Sequence, residues 1–380
     1  MFCCAFSFTA CKGSDDGGKG DPVDENKPDE GNKPDDDDDE EDDDSAYEQL
    51  ATAGLTFRAV EEGGVTVSYA VSGIDTDGDS KVIIPSEYEG LPVTKIDGYA
   101  FYERSNIIYV STGENVTEIG DSAFYNCEKL EKVVLNGKID NMVSLAFAHC
   151  QALKAVKIGK EVKEIGYYAF FECTALEKVT IPSSVKSIGE SAFAFCISLE
   201  KVNFKEGVEY IGDCAFGGCT VLEEFIMPQS VTEIGFGVLM FVGGYLYDGE
   251  ETFSPNGLKK IVMSDNLTEI SQYAFSGTMI ESITVGDRVE TIDYSSFYLC
   301  ERLESVVISK SVKKIVSYAF YRTAINTVYY EGTAEEWKKV SIGRYNDVSS
   351  ADIYCYSAIK PAKAGNFWHY GADGVTPVKW

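Results

Sequence analysis

Apolar residues recur along this chain with a period of 23 residues. The clearest marker is a large apolar side chain, nearly always a phenylalanine that follows an alanine. It stands at these positions: Phe101, Phe124, Phe147, Phe170, Phe193, Phe216, Leu239, Phe275, Phe297 and Phe320. Every step is 23 residues except the two that follow Leu239, which are 36 and 22 residues long. A register kept over roughly 220 residues predicts repeated copies of one unit rather than unrelated globular domains.

The unit that runs from Leu176 to Cys196 shows the pattern most clearly. Leu176, Val179 and Ile181 place apolar side chains on one face of a short strand. Pro182 and the two serines that follow it end that strand in a turn. The first half of each unit is therefore predicted to be a strand with one buried face.

The second half of the same unit returns to the core. Val185 and Ile188 point inward again, Gly189 makes a tight corner, and Ala192-Phe193 fits a short helical turn. One unit cannot close a core of its own, so stacked units must cover one another and pair their strands into a parallel sheet. About ten such repeats predict a β-rich solenoid, a rod or horseshoe with short helical turns, roughly 50 Å long at a strand spacing of ~4.8 Å.

The consensus L-x-x-V-x-I-P-x-S-V-x-x-I-G-x-x-A-F-x-x-C resembles the leucine-rich repeats of the Bacteroides surface protein A-like family, over residues 50–357. The resemblance implies a leucine-rich-repeat solenoid with its array at residues 93–327. An N-terminal β cap is expected at residues 49–92, and a C-terminal cap with an aromatic tail at residues 328–380. Members of that family are cell-surface or secreted proteins, and several are regarded as adhesins. The resemblance therefore implies recognition at a cell surface.

Both ends of the array depart from the consensus, as the caps of an open solenoid should. Alternating apolar residues in 55–85, with a turn at Asp75–Asp79, predict a hairpin over the first repeat. The aspartates leave calcium binding open, but their glycine and final ligand positions do not match a calcium loop, so a solvated turn is favoured. At the other end, Thr333 and Glu336 predict a capping box and a short helix in which Trp337 plugs the last repeat.

Six of the eleven cysteines stand three residues after the repeat phenylalanine. They are Cys127, Cys150, Cys173, Cys196, Cys219 and Cys300. This spacing predicts one column with about 5 Å between neighbouring Cα atoms, which a disulfide tolerates. Stacked side chains seldom offer the dihedral angle that a disulfide needs, so a column of buried thiols is favoured and disulfide staples are the alternative. Catalysis by these thiols is not expected, because it requires an exposed and activated cysteine.

Negative charge is concentrated near the N-terminus. Residues 15–44 hold 17 Asp and Glu against three Lys, within a formal net charge of −29 for the chain. Residues 12–48 are therefore predicted to be a disordered acidic tether, since they cannot bury enough apolar surface to fold. The negative balance also argues against nucleic acid as a partner. No apolar run reaches the length of a membrane helix.

The sequence Phe-Thr-Ala-Cys that ends at Cys11 resembles a bacterial lipobox. Residues 1–11 are then the remnant of a lipoprotein signal, and Cys11 is the expected lipidation site. The resemblance implies an outer-membrane lipoprotein of a Bacteroides-type Gram-negative bacterium, facing the cell exterior. Contact with the membrane would be made only through the lipid. The alternative is an unmodified cysteine.

Two surfaces are candidates for binding. One is an insertion at residues 240–257 that interrupts the array and carries several aromatic residues: Phe241, Tyr245, Tyr247 and Phe253. Function tends to lie in loops on a rigid scaffold, although these aromatics could instead fold back onto the core. The second is a mildly apolar column on the outward face of the strands, from Val134 to Tyr329, in which the candidate binding residues are Ile226, Val262 and Tyr329. The Glu and Lys columns beside it fit an ordinary solvated face.

These observations favour a non-catalytic binding protein. The first hypothesis is a surface-tethered adhesin or recognition scaffold for a host or bacterial surface protein. The second is a glycan-binding lipoprotein in nutrient capture, for which Tyr245, Tyr247 and Trp368 would supply surface aromatics. No nucleophile elbow, metal-spaced histidine cluster or phosphate-binding loop is present, so neither an enzyme activity nor a cofactor or metal is expected.

Overall fold

The computed structural model describes residues 51–75, 80–240 and 257–380. Its strands and helix, in chain order, are β1 (Leu55–Glu62), β2 (Val65–Ile74), β3 (Lys81–Ile83), β4 (Glu87–Tyr88), β5 (Leu91–Ile96), β6 (Tyr109–Ser111), β7 (Glu118–Ile119), β8 (Lys132–Leu135), β9 (Asn141–Met142), β10 (Ala155–Ile158), β11 (Glu164–Ile165), β12 (Lys178–Ile181), β13 (Ser187–Ile188), β14 (Lys201–Phe204), β15 (Tyr210–Ile211), β16 (Glu224–Ile226), β17 (Glu233–Ile234), β18 (Lys260–Val262), β19 (Glu269–Ile270), β20 (Ser282–Thr284), β21 (Thr291–Ile292), β22 (Ser305–Ile308), β23 (Lys314–Ile315), β24 (Thr327–Tyr330), α1 (Ala334–Trp337), β25 (Ser341–Ile342), β26 (Asp352–Tyr356), β27 (Phe367–Tyr370) and β28 (Pro377–Lys379).

These strands form a β-solenoid of about 12 turns, which confirms the predicted leucine-rich-repeat architecture. Each coil gives a strand of three to five residues to a face that we call the front sheet, made of β3, β6, β8, β10, β12, β14, β16, β18, β20, β22, β24 and β26. Hydrogen bonds join these strands in four successive groups, β3–β10, β12–β14, β16–β18 and β20–β26. A second face, the side sheet, begins at the six-residue β5 and continues with two-residue strands to β25, in three such groups. Neighbouring strands are parallel, and a residue pairs with its equivalent in the next coil, as Val179 does with Val202.

The third edge of each coil lies between the side sheet and the next front strand, and we call it the turn edge. Ser122, Phe124 and Asn126 each donate a backbone N–H bond of 2.8–3.0 Å to a carbonyl of the next coil. Ser122 and Asn126 are left-handed, with φ of 52° and 54°. The predicted short helical turn is therefore a run of tight turns, because left-handed residues direct these N–H groups along the solenoid rather than along a helix.

The repeat phenylalanines stack into one buried column behind the turn edge. From Phe101 to Phe216 the centroids of successive rings lie 4.8–5.4 Å apart, and the ring planes are 4–11° from parallel. Each of these rings is at most 1% exposed. Leu239 occupies the next place and is also buried. The column explains the 23-residue register, since each ring is covered by its copies in adjacent coils.

The corner glycine is required by close approach between coils. At Gly189 an added Cβ would lie 2.8 Å from the backbone of Gly166 and of Tyr167. Gly166 itself leaves only 1.9 Å to the carbonyl oxygen of Met142. The backbones therefore touch at this corner, and any side chain would push the coils apart.

The N-terminal cap is an antiparallel hairpin of β1 and β2, and β2 then pairs in parallel with β5. Its turn lies at Gly63 and Gly64, both with positive φ, and not at Asp75–Asp79. The apolar alternation does not bury one face along the whole of β2, since Val65 at its start is 64% exposed. Shifts in register within the hairpin change which side faces inward, and Ala70 and Val71 are both buried. The proposed calcium loop falls largely on residues 76–79, outside the described residues.

The C-terminal cap combines helix α1 with strands β26 to β28. Thr333 and Glu336 form the predicted capping box, in which the Thr333 side chain accepts from the Glu336 N–H. Trp337 lies 5.1 Å from the Tyr330 ring, between centroids, and packs on the core as the plug we expected. Trp368 is also buried, and its Nε1 donates a 3.0 Å bond to the Tyr330 carbonyl. Trp368 is therefore a cap residue, and the prediction that it is a surface aromatic was wrong.

Candidate functional site

The six column cysteines lie in the core beside the phenylalanines. All are buried free thiols: Cys127, Cys150, Cys173, Cys196, Cys219 and Cys300. Each Sγ donates to the carbonyl of the repeat phenylalanine one coil earlier, at 3.2–3.3 Å. The thiols thus satisfy backbone acceptors that project into the core.

Burial also makes these thiols poor nucleophiles. It raises the pKa of Cys219 to about 12 and the pKa of Cys300 to about 11, because a thiolate is disfavoured away from water. The pKa values of Cys150, Cys173 and Cys196 are raised for the same main reason. The column is a structural element, because a reactive cysteine needs a lowered pKa and access to solvent.

The front sheet presents charged residues in axial pairs. The Lys259 ammonium lies 2.7 Å from the Glu223 carboxylate, and Lys260 lies 3.3 Å from Glu224. Because the coils are in register, a Lys in one coil reaches the Glu of the coil before it. This surface is balanced in charge at these positions, which agrees with an ordinary solvated face.

Only part of the predicted apolar column is exposed for contact with a partner. Ile226 and Val262 pair directly across β16 and β18 and are 44% and 38% exposed. Tyr329 is half-buried against Trp368, with ring centroids 5.5 Å apart, and the Lys379 ammonium lies 5.9 Å from its centroid. Tyr329 belongs to the C-terminal cap, so the structure does not join it to Ile226 and Val262 in one surface.

Several predicted site residues lie outside the described residues. They include the lipidation site, the tether at residues 12–48 and the aromatic members of the insertion: Cys11, Phe241, Tyr245, Tyr247 and Phe253. The described chain resumes at Gly257, whose N–H donates a 2.7 Å bond to the Thr220 carbonyl. The described residues that flank the insertion are Met240, at the turn edge, and Gly257, shortly before the front strand β18.

The turn edge carries a row of outward aromatic rings that the sequence analysis did not identify. We call its first part the acidic aromatic strip, with rings in four coils and a last carboxylate, Glu190, in a fifth. Its rings are Tyr99, Tyr102, Tyr125, His149 and Phe171. Successive centroids lie 5.0–5.5 Å apart, starting with Tyr99 and Tyr102 at 5.5 Å. Tyr99 is 60% exposed and Tyr102 is 38% exposed, whereas Tyr125, His149 and Phe171 are half-buried.

Carboxylates accompany these rings, and the strip includes four of them: Glu103, Asp121, Glu172 and Glu190. The Glu172 Oε2 lies 3.0 Å from the His149 Nδ1, and the Tyr168 hydroxyl donates a 2.8 Å bond to Glu190. A hydrogen bond to Asp121 raises the pKa of Tyr99. Burial, then the charges of Glu172 and Glu103, raise the pKa of Tyr125. The strip is therefore a surface of negative potential as well as of aromatic rings.

A different cluster occupies the turn edge of the last coils. We call it the tyrosine cluster, formed by Tyr273, Tyr294, Tyr298, Tyr318, Tyr321 and Tyr345. Its rings are in continuous contact, and the closest pair, Tyr318 and Tyr345, stacks at 4.8 Å between centroids. Here Arg322 and Arg344 are exposed beside the rings. The two clusters share a scaffold position but differ in charge.

A signal for these rows was present in the sequence. Aromatic residues recur directly after the repeat phenylalanine, as at Tyr102 and Tyr125, or two positions before it, as at Tyr273 and Tyr318. Neither spacing fits a helical or a strand face, so hydrophobic periodicity does not group them. Left-handed residues at the turn edge place them on one surface.

The described part of the chain contains no group of three or more His, Cys, Asp or Glu side chains that could hold a metal ion. Within the same part, every helix is too short or too polar to cross a bilayer. His149, the histidine of the strip, is engaged with Glu172 and is not paired with a nucleophile. The arrangement offers surfaces for binding.

Solved structures of bacterial leucine-rich-repeat proteins are similar to this chain. A Treponema pallidum leucine-rich-repeat protein is 28% identical, covering 50% of this chain and 88% of its own, with a TM-score of 0.46. A leucine-rich cell-surface protein of Faecalibacterium prausnitzii is 23% identical, over 77% and 97%, with a TM-score of 0.34. One from Bacteroides ovatus is 21% identical, over 80% and 99%, with a TM-score of 0.33.

The family model described as a BspA-type leucine-rich-repeat region matches this chain in six copies. The matched residues are 80–193, 142–241 and 248–343, which together are more than half of the chain. No protein of curated function matches it. The family is one of repeat proteins and suggests a binding or scaffold role. The chain therefore belongs to the BspA-type leucine-rich-repeat family.

Proposed function

We propose that this chain is a non-catalytic recognition scaffold displayed at a bacterial cell surface, where it binds a protein partner as an adhesin does. The observation that carries the proposal is the turn edge. A rigid, continuously buried core holds long rows of outward tyrosines at fixed spacing. Tyrosine supplies large contact area at low entropic cost and is enriched in the centres of protein interfaces.

Surface display is the second part of the proposal. It is supported by family membership, by the likeness to a protein described as a cell-surface protein, and by the lipobox at Cys11. A lipid on Cys11 would leave residues 12–48 as an acidic spacer between membrane and solenoid, with a reach of up to roughly 125 Å at ~3.4 Å per residue. Metabolic labelling with an alkyne fatty acid tests the anchor. Label that persists in the Cys11→Ala variant would contradict it.

Parallel protein and glycan arrays test the choice of partner. We expect binding to surface or matrix proteins and none to neutral glycans. Capture of glycans in nutrient uptake is the second candidate, and it is favoured by the aromatic residues of the insertion, Tyr245 and Tyr247. Deletion of residues 243–255 separates the two contact sites. Loss of binding places the contact on the insertion, and retained binding places it on the described scaffold.

A further inference from the structure

We propose that the acidic aromatic strip binds a cationic protein segment, one whose Lys and Arg side chains lie along the outer edges of the rings beside the carboxylates. The inference deepens the proposed function, on which it rests, by assigning the chemistry of the partner. The strip combines two features that suit such a segment, because carboxylates attract its cations through their charge and the rings offer a surface on which the aliphatic stems of Lys and Arg can pack.

The charge of the strip is one-sided. Its coils contribute the turn segments 97–103, 120–126, 143–149, 166–172 and 189–195, which hold five Asp and Glu and no Lys or Arg. One of these acids lies at the first coil and is paired with an arginine of the N-terminal hairpin at 2.6 Å. The other four are the carboxylates of the strip. The front sheet differs, because three of its glutamates, Glu131, Glu223 and Glu224, each have a lysine partner one coil away.

The rings and the acids are interleaved rather than separated. Tyr102 and Tyr125 stack at 5.1 Å between centroids with planes 5° apart. The negative charge of Glu103 contributes to raising the pKa of both tyrosines, after burial. The next ring, His149, lies 5.0 Å from Tyr125 and contacts Glu172. The 5.1 Å stack leaves no room for a cation between the two rings, so a cation must lie along their outer edges, beside the tyrosine hydroxyls and the neighbouring carboxylates.

The length of the strip suits an extended segment. Five coils at a spacing of ~4.8 Å span roughly 20 Å, which equals about six residues of extended peptide at ~3.3 Å each. Other occupants fit less well. A second copy of this chain carries the same charge of −29 and would be repelled, as would an anionic polymer. A neutral glycan would donate hydroxyl hydrogen bonds to the carboxylates but gain nothing from their net charge, so the oligosaccharide arm of the test separates it from a cationic segment.

The test is fluorescence anisotropy of the full chain with a labelled Arg–Gly repeat peptide and a Glu–Gly repeat peptide of equal length. Any acidic protein attracts a polycation, so the variants are matched in charge. Glu103→Gln/Glu172→Gln removes two carboxylates from the strip, and Glu177→Gln/Glu200→Gln removes two exposed ones from the front sheet. We expect Kd for the Arg–Gly peptide to rise about tenfold in the first variant and less than about twofold in the second.

A second pair of variants removes rings without changing charge. Tyr102→Ala/Phe171→Ala alters the strip, and Tyr294→Ala/Tyr345→Ala alters the tyrosine cluster on the same edge. Loss of two rings that the bound segment packs against should weaken binding about tenfold in the strip variant only. Thermal unfolding of all four variants controls for folding, and the exposed Tyr102→Ala single variant replaces the double variant if that one unfolds.

Equal weakening by the strip and front-sheet variants would overturn the proposal, because binding would then follow net charge alone. Binding of a labelled neutral oligosaccharide at the strip, lost with Tyr102→Ala, would also overturn it in favour of a glycan. The proposed function is distinguished by the arrays. If a protein on the arrays binds the native chain and binds the strip variants equally well, the proposed recognition function is kept. Only the assignment of the contact to the strip is then rejected.

Discussion

Two aromatic rows run along the same edge of the solenoid, one inside and one outside, and they obey different rules. The inner row is phenylalanine in six successive coils, stacked nearly parallel and excluded from water. The outer row lies one or two residues away in sequence and changes identity from coil to coil, as Tyr125, His149 and Phe171 do. Each inner ring packs against the equivalent rings of the two adjacent coils, so only a side chain of the same size and shape fits in the inner row. No such constraint acts outside, so that row can specialise.

The difference between the two rows is tested most directly by removing one ring from each row and comparing the losses of stability. Phe170 lies between Phe147 and Phe193 with centroid distances of 5.4 and 5.2 Å, whereas the adjacent Phe171 is half-exposed. We expect Phe170→Ala to lower the free energy of unfolding by about 3–5 kcal/mol, because it leaves a cavity in the column. Phe171→Ala should cost about 1 kcal/mol. Urea unfolding followed by circular dichroism measures both, and similar losses would mean that the two rows are not distinct.

The column of thiols lies beside the inner row, and the pH dependence of stability tests whether those thiols are buried from water. Burial raises the pKa of Cys219 from an ordinary value of 9.0 to about 12, so the folded state keeps a proton that the unfolded state releases. The stabilisation is fully present below pH 9 and is lost as the pH rises toward 12. The loss is about 1.4 kcal/mol per pH unit for one thiol, or about 2 kcal/mol between pH 9 and 10.5.

The measurement compares the native chain with Cys219→Ala at pH 8 and pH 10.5, since lysines and tyrosines also titrate in this range and cancel in the difference. We expect the stability advantage of the native chain to shrink by about 2 kcal/mol at the higher pH. A difference that is the same at both pH values would show that the thiol is not protected. In addition, the column thiols should resist a thiol reagent at pH 8 until the chain is unfolded.

The two rows also show what could be predicted from the sequence. The inner positions, such as Phe193 and Cys196, repeat at one spacing and face the core whatever the path between them, so their columns followed from the period alone. The outer row depends on left-handed residues, which no periodicity reveals, and it was missed. Trp368 was misassigned for a related reason, because its burial depends on how strands β26 to β28 fold over the last coil.

The left-handed residues that separate the rows can themselves be tested. Asn126 has φ of 54° at the turn edge, and its N–H donates to the Ala148 carbonyl at 2.8 Å. Asn126→Val should lower the free energy of unfolding by about 1–2 kcal/mol, since a branched Cβ clashes in this conformation. Asn126→Gly should change it by about 0.5 kcal/mol or less, because relief of strain is offset by entropy of the unfolded chain. Equal effects of the two substitutions would mean that the turn does not require this conformation.

The smallest effect is expected on the front sheet, which belongs to neither row. The Lys259 and Glu223 side chains are 62% and 67% exposed although their charged atoms lie 2.7 Å apart. Water and salt screen such a pair, so a double-mutant cycle of Lys259→Gln and Glu223→Gln should give a coupling of about 0.5 kcal/mol or less. The same cycle in 1 M salt should approach zero. A coupling well above 1 kcal/mol would show that the axial pairs help to hold the coils together, and the front sheet would then be a structural surface like the inner row.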